Sequence, residues 1–292
     1  MRAILSFWFI KLSKKKQTSS FLTSKKKKGS AKVFNSKINK KNSQDPRWHL
    51  EPLIYLLLND QRVDINKADN DGISPFYVAC YKGLIEIMEL LLNDERVDIN
   101  KTLSSGETPF YIACEKGHIR VVELLLNDER VDVNKAENKY SRTPFWIACY
   151  KDDAKIVKLL LNDQRVDINK ASKNSLTPFY LACEYGQIEI VKQLLACGKE
   201  IDINKKDGDE KTALDIAREM EDEEKEDWEN EFEFQERKSN YIKIIELIES
   251  FERNPNETRF KLRIELGLAR KLISFYFFII IIFFLRNLYL YL

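Results

Sequence analysis

Four cysteines are the first place to look for chemistry: Cys80, Cys114, Cys149 and Cys183 each follow an alanine and lie 34, 35 and 34 residues apart. A thiol can attack, pair or hold a metal. Attack needs a neighbouring base and a group that orients it, and the two histidines, His49 and His118, complete no such set. Metal binding needs clustered ligands, yet there is no Cys-x-x-Cys and no Cys/His cluster. Recurrence at a fixed period points instead to a structural slot, met once in each copy of a repeated unit. Helices in a stack lie about 8–10 Å apart, while a disulfide tolerates roughly 7 Å between Cα atoms. The four thiols therefore read as small core residues of a reducing compartment, with Cys197 alone at a helix end.

Other catalytic signatures are missing. There is no G-x-x-x-x-G-K-[ST] and no G-x-G-x-x-G to cradle phosphates. Asp94, Asp128 and Asp163 recur with the period and read as turn residues. Asn256-Glu257-Thr258 forms a glycosylation sequon, but its use requires secretion, which the thiols argue against. Neither an enzyme, nor a cofactor, nor a metal is expected.

The period runs through the whole middle of the chain. Ser74-Pro75-Phe76-Tyr77 returns at Thr108, Thr143 and Thr177 after 34, 35 and 34 residues, and a weaker Thr212-Ala213-Leu214-Asp215 follows 35 later. Val63, Val97, Val131, Val166 and Ile201 head a second series spaced 34, 34, 35 and 35. Periods of this size mean a stacked repeat.

Within one unit, Ile73 to Lys101, Ser74 is a hydroxyl N-cap and Pro75 occupies the first helical position. Phe76, Ala79 and Cys80 then form the stripe of a short helix that ends at Gly83. Ile85, Ile87, Met88, Leu90, Leu91 and Leu92 predict a second helix, stopped at Asn93-Asp94. Val97-Asp98-Ile99-Asn100 alternates apolar and polar and suits an extended finger. Neither helix can bury its apolar face alone, so copies must stack.

These residues carry a family resemblance. The unit resembles the ankyrin repeat: Asp69, Gly72, Ser74, Pro75, Phe76, Ala79, Gly83, Ile87, Leu90 and Leu91 match its pattern, as do Gly106, Thr108, Pro109, Ala113, Gly117, Val121, Val122 and Asn134. The resemblance covers about residues 49 to 251 and implies an all-α solenoid of helix-turn-helix units with short β-hairpin-like fingers. Three departures stand out. Tyr77, Tyr111, Trp146 and Tyr180 replace the family's histidine, so its hydrogen bonds must be remade or dropped. Asp152 stands where Gly83, Gly117 and Gly186 stand, and the loop before Thr143 and the turn before Ile201 each carry one extra residue. His118, beside Gly117, is expected to cap its helix.

Ankyrin repeats meet protein partners through the finger tips and the exposed end of the first helix. On this chain the resemblance assigns that surface to Tyr81 and Lys82, to Glu107, Glu115 and Lys116, to Tyr140, Arg142, Tyr150 and Lys151, and to Glu184 and Tyr185. Tyr81, Tyr150 and Tyr185 are expected to share one slot on three of the four repeats, and tyrosine is enriched in binding hot spots.

The ends differ from the middle. Residues 1–45 predict a basic disordered arm: the first 44 hold 13 Lys or Arg and no acid, leaving 35 basic against 46 acidic residues, a net −11, for the rest. The array spans 46–267: a half repeat at 48–67, full repeats near 68–101, 102–135, 136–170 and 171–205, and a final repeat at 206–251. That last copy carries an acidic insertion, 219–240, in which Trp228, Phe232 and Phe234 sit among carboxylates; it is expected to lengthen both helices of the repeat, the alternative being a docking segment whose acids steer a basic partner and whose aromatics bind it. A capping helix at 254–267 then brings Phe260, Leu262, Ile264 and Leu266 to seal the stack. Residues 268–292 form an apolar tail whose stretch from Leu272 to Leu292 contains 21 residues and one charge, Arg286. A bilayer core needs about 20.

The expected function is a non-catalytic scaffold or adaptor that binds a protein partner through the concave face, placed in the cytoplasm. The alternatives are a tail-anchored version held to a membrane through 272–292, and a nuclear placement directed by Lys25-Lys26-Lys27-Lys28. Nucleic acid and small-molecule substrates are not expected partners.

Overall fold

The computed structural model describes residues 58–60, 62–225 and 229–269. The basic arm, the start of the half repeat, Trp228 and the stretch from Leu272 to Leu292 lie outside them. Four helix pairs follow one another: α1 (Pro75–Lys82) with α2 (Ile85–Leu92), α3 (Pro109–Glu115) with α4 (Ile119–Leu126), α5 (Pro144–Tyr150) with α6 (Ala154–Asn162), and α7 (Pro178–Glu184) with α8 (Ile188–Ala196). A fifth pair, α9 (Ala213–Asp222) and α10 (Glu231–Arg253), precedes α11 (Pro255–Glu265).

Each first helix starts as its sequence directs. The Ser74 hydroxyl accepts the Tyr77 N–H at 3.1 Å, and Thr108, Thr143 and Thr177 repeat the contact at 3.0, 3.0 and 3.1 Å. These helices are 7 or 8 residues long, below the ~12–15 residues at which an isolated helix holds in water. Packing supplies the rest. Phe76, Phe110, Phe145 and Phe179 are buried, as is every Ala–Cys pair beside them; burying one such aromatic contributes about 1.5–3 kcal/mol. The small Ala–Cys surface lets first helices approach one another more closely than second helices do. A stack of such wedges curves, with the first helices on the concave side.

Polar contacts tie each unit to both neighbours. Asn66, Asn100, Asn134 and Asn169 each donate Nδ2–H forward to a carbonyl of the next repeat, at 2.5, 2.7, 2.6 and 2.9 Å. Their Oδ1 atoms accept the N–H of Asp98, Asp132, Asp167 and Asp202 at 2.7–3.0 Å. Arg96, Arg130 and Arg165 reach the other way, to the carbonyls of Leu58, Leu92 and Leu126 at 2.6, 3.0 and 2.8 Å. Asp94, Asp128 and Asp163 are the turn residues expected, and each carboxylate holds the arginine two positions on. Where the extra residue precedes Ile201, Lys199 takes over the backward reach, to the carbonyls of Asp163 and Val166 at 2.6 and 2.9 Å.

The fingers hold no strand among the described residues. Each is a turn closed by one backbone bond, for example Leu103 N–H to the Glu107 carbonyl at 3.0 Å, and neighbours are stitched by bonds such as Asn138 N–H to Ser105. One finger position, occupied by Gly72, Gly106, Ser141, Ser175 and Glu210, is left-handed in every copy, with φ between 57° and 88°. Only glycine takes that conformation without cost. Asp152 likewise takes φ 55° in place of glycine.

Two expectations need correction. In α11, Leu262 is buried and Leu266 packs on the core, whereas Phe260 and Ile264 are each 46% exposed. Alternation by twos splits across two faces of a helix, so only half of the four residues can seal the stack. The remaining seal is polar: Arg259 and Arg263 donate to the carbonyls of Leu195 and Ala196 at the end of α8, at 3.4 and 2.9 Å. His118 also departs from expectation. Its side chain makes no cap bond; Nε2 lies 3.0 Å from the Tyr81 carbonyl of the preceding repeat, with the ring over Gly83.

The acidic insertion lengthens both helices unequally, giving α9 10 residues and α10 23. Arg237 anchors the hairpin, holding buried Glu229 through both oxygens at 2.9 and 3.0 Å. Phe234 lies under its guanidinium, while Phe232 is exposed.

Candidate protein-interaction surface

The cysteine slot fixes where each first helix ends, and so which residues crown the concave face. One position past Cys80, Cys114, Cys149 and Cys183 stand Tyr81, Glu115, Tyr150 and Glu184; two past stand Lys82, Lys116, Lys151 and Tyr185. The three tyrosines therefore do not share one slot, because Tyr185 takes the place of a lysine. Its position at the end of α7 sets its ring edge-on to Tyr150, with centroids 5.8 Å apart. Tyr150 in turn stacks on Trp146 at 5.5 Å. Tyr185 is 52% exposed and Tyr150 41%, so this aromatic run keeps an open surface.

Cations frame the rings. The Arg142 guanidinium lies 4.3 Å from the Tyr140 ring centre, 4.5 Å from Trp146 and 5.8 Å from Tyr150. Lys139 sits 4.6 Å from Tyr140 and Lys151 5.6 Å from Tyr150. Toward the first repeats a second, separate group forms, in which Lys82 and Lys116 flank Tyr81 at 4.7 and 5.3 Å. The structure thus gathers the predicted residues into two groups rather than one stripe.

The carboxylates of the surface are partly spent. Glu115 pairs with Lys116 at 3.1 Å. Burial, and the nearby Glu115 charge after it, raises the carboxyl of Glu107, which also accepts from the Tyr77 hydroxyl at 3.5 Å. Glu184 is raised by burial and then by Asp207. Burial likewise pushes the thiols of Cys80, Cys114, Cys149 and Cys183 up, which removes them as nucleophiles.

The replaced histidines remake their bond toward the next finger in three of four copies. Tyr77 reaches Glu107, Trp146 Nε1–H donates to the Leu176 carbonyl at 3.0 Å, and the Tyr180 hydroxyl donates to Asp207 at 2.8 Å.

One organising residue escapes a sequence reading. Buried Glu137 accepts the N–H groups of Lys139, Tyr140 and Arg142 at 2.6, 2.7 and 3.1 Å and so shapes the finger that carries Tyr140 and Arg142. Asp69 and Asp207 do the same in their fingers. The finger of Glu137 is one residue longer, and a longer acid spans it. Coincidence of the extra residue with a Glu in the Asp position is the signal that could have found it.

No group of three His, Cys, Asp or Glu among the described residues is placed to hold a metal. No described helix is long and apolar enough to cross a membrane.

A curved stack of short helix pairs, capped by Thr-Pro and lined by variable side chains, defines a helical-repeat module. Models of the ankyrin repeat match residues 48–137, 129–207 and 145–224, and the chain belongs to the ankyrin repeat family. Its fold is similar to the crystal structure of EF0377, an ankyrin repeat protein, at 26% identity over 67% of this chain and 90% of that one, with a TM-score of 0.56. It is also similar to the ankyrin repeat domain of Bcl-3, a member of the IkappaB protein family, at 20% identity over 58% of this chain and 74% of that one, with a TM-score of 0.53. No curated protein sequence matches it. Repeats of this family are in general protein–protein interaction modules, typically without catalysis.

Proposed function

We propose that this protein is a non-catalytic scaffold or adaptor whose concave face binds a protein partner. One observation carries the reading: Tyr140, Tyr150 and Tyr185 keep open ring surface while aromatic and cationic neighbours hold them in place. Rings that are already ordered lose little freedom on binding, which favours their use as anchors. Four buried thiols support a reducing compartment, and the cytoplasm is the placement proposed. Capture from source cells with the full chain tests the reading, comparing wild type with a Tyr81→Ala/Tyr150→Ala/Tyr185→Ala variant shown by circular dichroism to be folded. Specific partners lost by the variant support the concave face. Partners retained by it move the binding surface elsewhere.

A second reading adds a membrane tether. Phe260, Ile264 and Leu268 are exposed along one side of the last helix and the turn after it, just ahead of the apolar stretch 272–292. If the tether operates, the protein sediments with membranes, resists high salt and is released by detergent. Recovery in the supernatant without detergent removes this version.

A further inference from the structure

Arg142 differs from the ion-paired arginines of the stack. Arg96, Arg130 and Arg165 each close on an aspartate two residues earlier, and Arg237 closes on Glu229. Among the described residues, Arg142 has no carboxylate at ion-pair distance, and its buried Nε has no hydrogen-bond partner. Glu137, the acid of its own finger, is committed to three backbone N–H groups. The rings of Tyr140, Trp146 and Tyr150 surround the guanidinium instead. A guanidinium carries its five donors in its own plane, so stacking occupies its faces and leaves its edge for a planar, bidentate acceptor.

The surroundings favour the same ligand. Lys139, Lys173 and Lys151 are exposed on this finger, on the next finger and at the end of α5. They make a basic island on a body that carries a net −11 outside the first 44 residues. Of the acids nearby, Glu137 is committed to backbone N–H groups, and burial raises the carboxyls of Glu184 and Asp152. In the other copies Arg142's position holds Ile73, Glu107, Leu176 and Lys211, so the feature belongs to the middle of the array alone.

We infer that Arg142 anchors an aspartate or glutamate side chain of an acidic peptide segment of the partner, which lies across the third and fourth repeats with Tyr150 and Tyr185 covering the residues beside the acid. This rests on the concave-face reading and gives it a partner chemistry. The basic island steers the acidic segment in, and the ring-framed guanidinium selects the carboxylate.

The test is a selection from a displayed library of random peptides on the full-length protein, followed by anisotropy titration of the enriched peptides. The variants are Arg142→Met, which keeps the packing on the rings, Arg142→Lys and Tyr185→Ala, each checked by circular dichroism. The expected peptides share an acid; Arg142→Met weakens them about 10- to 100-fold, and Arg142→Lys restores only part. Changing that acid to its amide costs as much on wild type and nothing further on Arg142→Met. Peptides without an acid, lost on Tyr185→Ala but unchanged on Arg142→Met, overturn the Arg142 assignment and leave the concave face standing. Peptides indifferent to both variants overturn both. Single-stranded RNA that displaces the acidic peptides from Arg142 at lower concentration also overturns the assignment.

Discussion

Tyr185 meets Tyr150 edge-on at 5.8 Å because it stands one position later in its repeat than Tyr150 does in its own. A single-residue offset between copies thus turns two isolated tyrosines into a continuous aromatic surface with Trp146 behind it. The contact spans the junction of the third and fourth repeats and places exposed ring surface beside Arg142.

Surface and core aromatics separate in stability. Tyr185→Ala is expected to cost less than about 1 kcal/mol in urea unfolding, since half of its surface already meets water. Phe145→Ala, fully buried near the start of α5, is expected to cost about 3–5 kcal/mol. Equal losses would mean that Tyr185 is structural.

Left-handed positions hold recoverable stability. Asp152→Gly and Ser175→Gly each relieve a side chain at positive φ, and thermal unfolding should show a gain of about 1 kcal/mol apiece. Gly106 marks the reverse case, because a Cβ there would run into the Asn138 side chain. Gly106→Ala is expected to destabilise, and a neutral result would show that the finger repacks.

The ladder couples the repeats. Asn134 makes one bond forward to the Arg165 carbonyl at 2.6 Å and accepts the Asp167 N–H at 2.9 Å. Asn134→Ala strands both groups at an interface and is expected to cost about 1–3 kcal/mol. Because repeats are joined only through such interfaces, the single unfolding transition should broaden and its urea slope fall. An unchanged slope would place the coupling in the apolar layer alone.

Acid sensitivity follows from the Asp–Arg turns. The hydrogen bond from Arg165 lowers the Asp163 carboxyl below its ordinary 3.8, and Arg96 and Arg130 do the same for Asp94 and Asp128. A depressed folded value stabilises above 3.8 and loses that contribution as pH falls through the folded value. Glu107 and Glu184 carry the opposite sign: burial raises them above 4.5, so they destabilise at neutral pH and recover as pH falls toward 4.5. Stability should therefore rise slightly from neutral pH into mild acid and drop below pH 3.8. Arg165→Gln should flatten the acid limb, and an unaltered limb would show that the turn pair contributes nothing.

Much of the fold was legible because its signals are local and recur. Ser74 or threonine before proline, the phenylalanine after it and the Ala–Cys pair each obey a rule that needs no distant partner, and repetition multiplies the signal. What stayed hidden depends on partners far along the chain. His118 serves a carbonyl 37 residues back, and the face Phe260 presents depends on how α11 lies on α8. Tyr185 escaped for a different reason: a shift of one position looks trivial in a motif but turns a helical side chain by about 100°. Glu137 is visible only once the lengthened finger is known to close around a carboxylate.

The two-way bonding between neighbours also sets how the array would respond to a pull on its ends. The C-terminal end is latched, since α11 folds back and Arg259 and Arg263 grip the end of α8. The first three joints carry the same asparagine–arginine pair and the fourth carries Asn169 and Lys199, and a period of 34 or 35 residues releases roughly 110–125 Å of extended chain when a unit opens. Tension would therefore peel units from the N-terminal side in even steps and reach the latched end last.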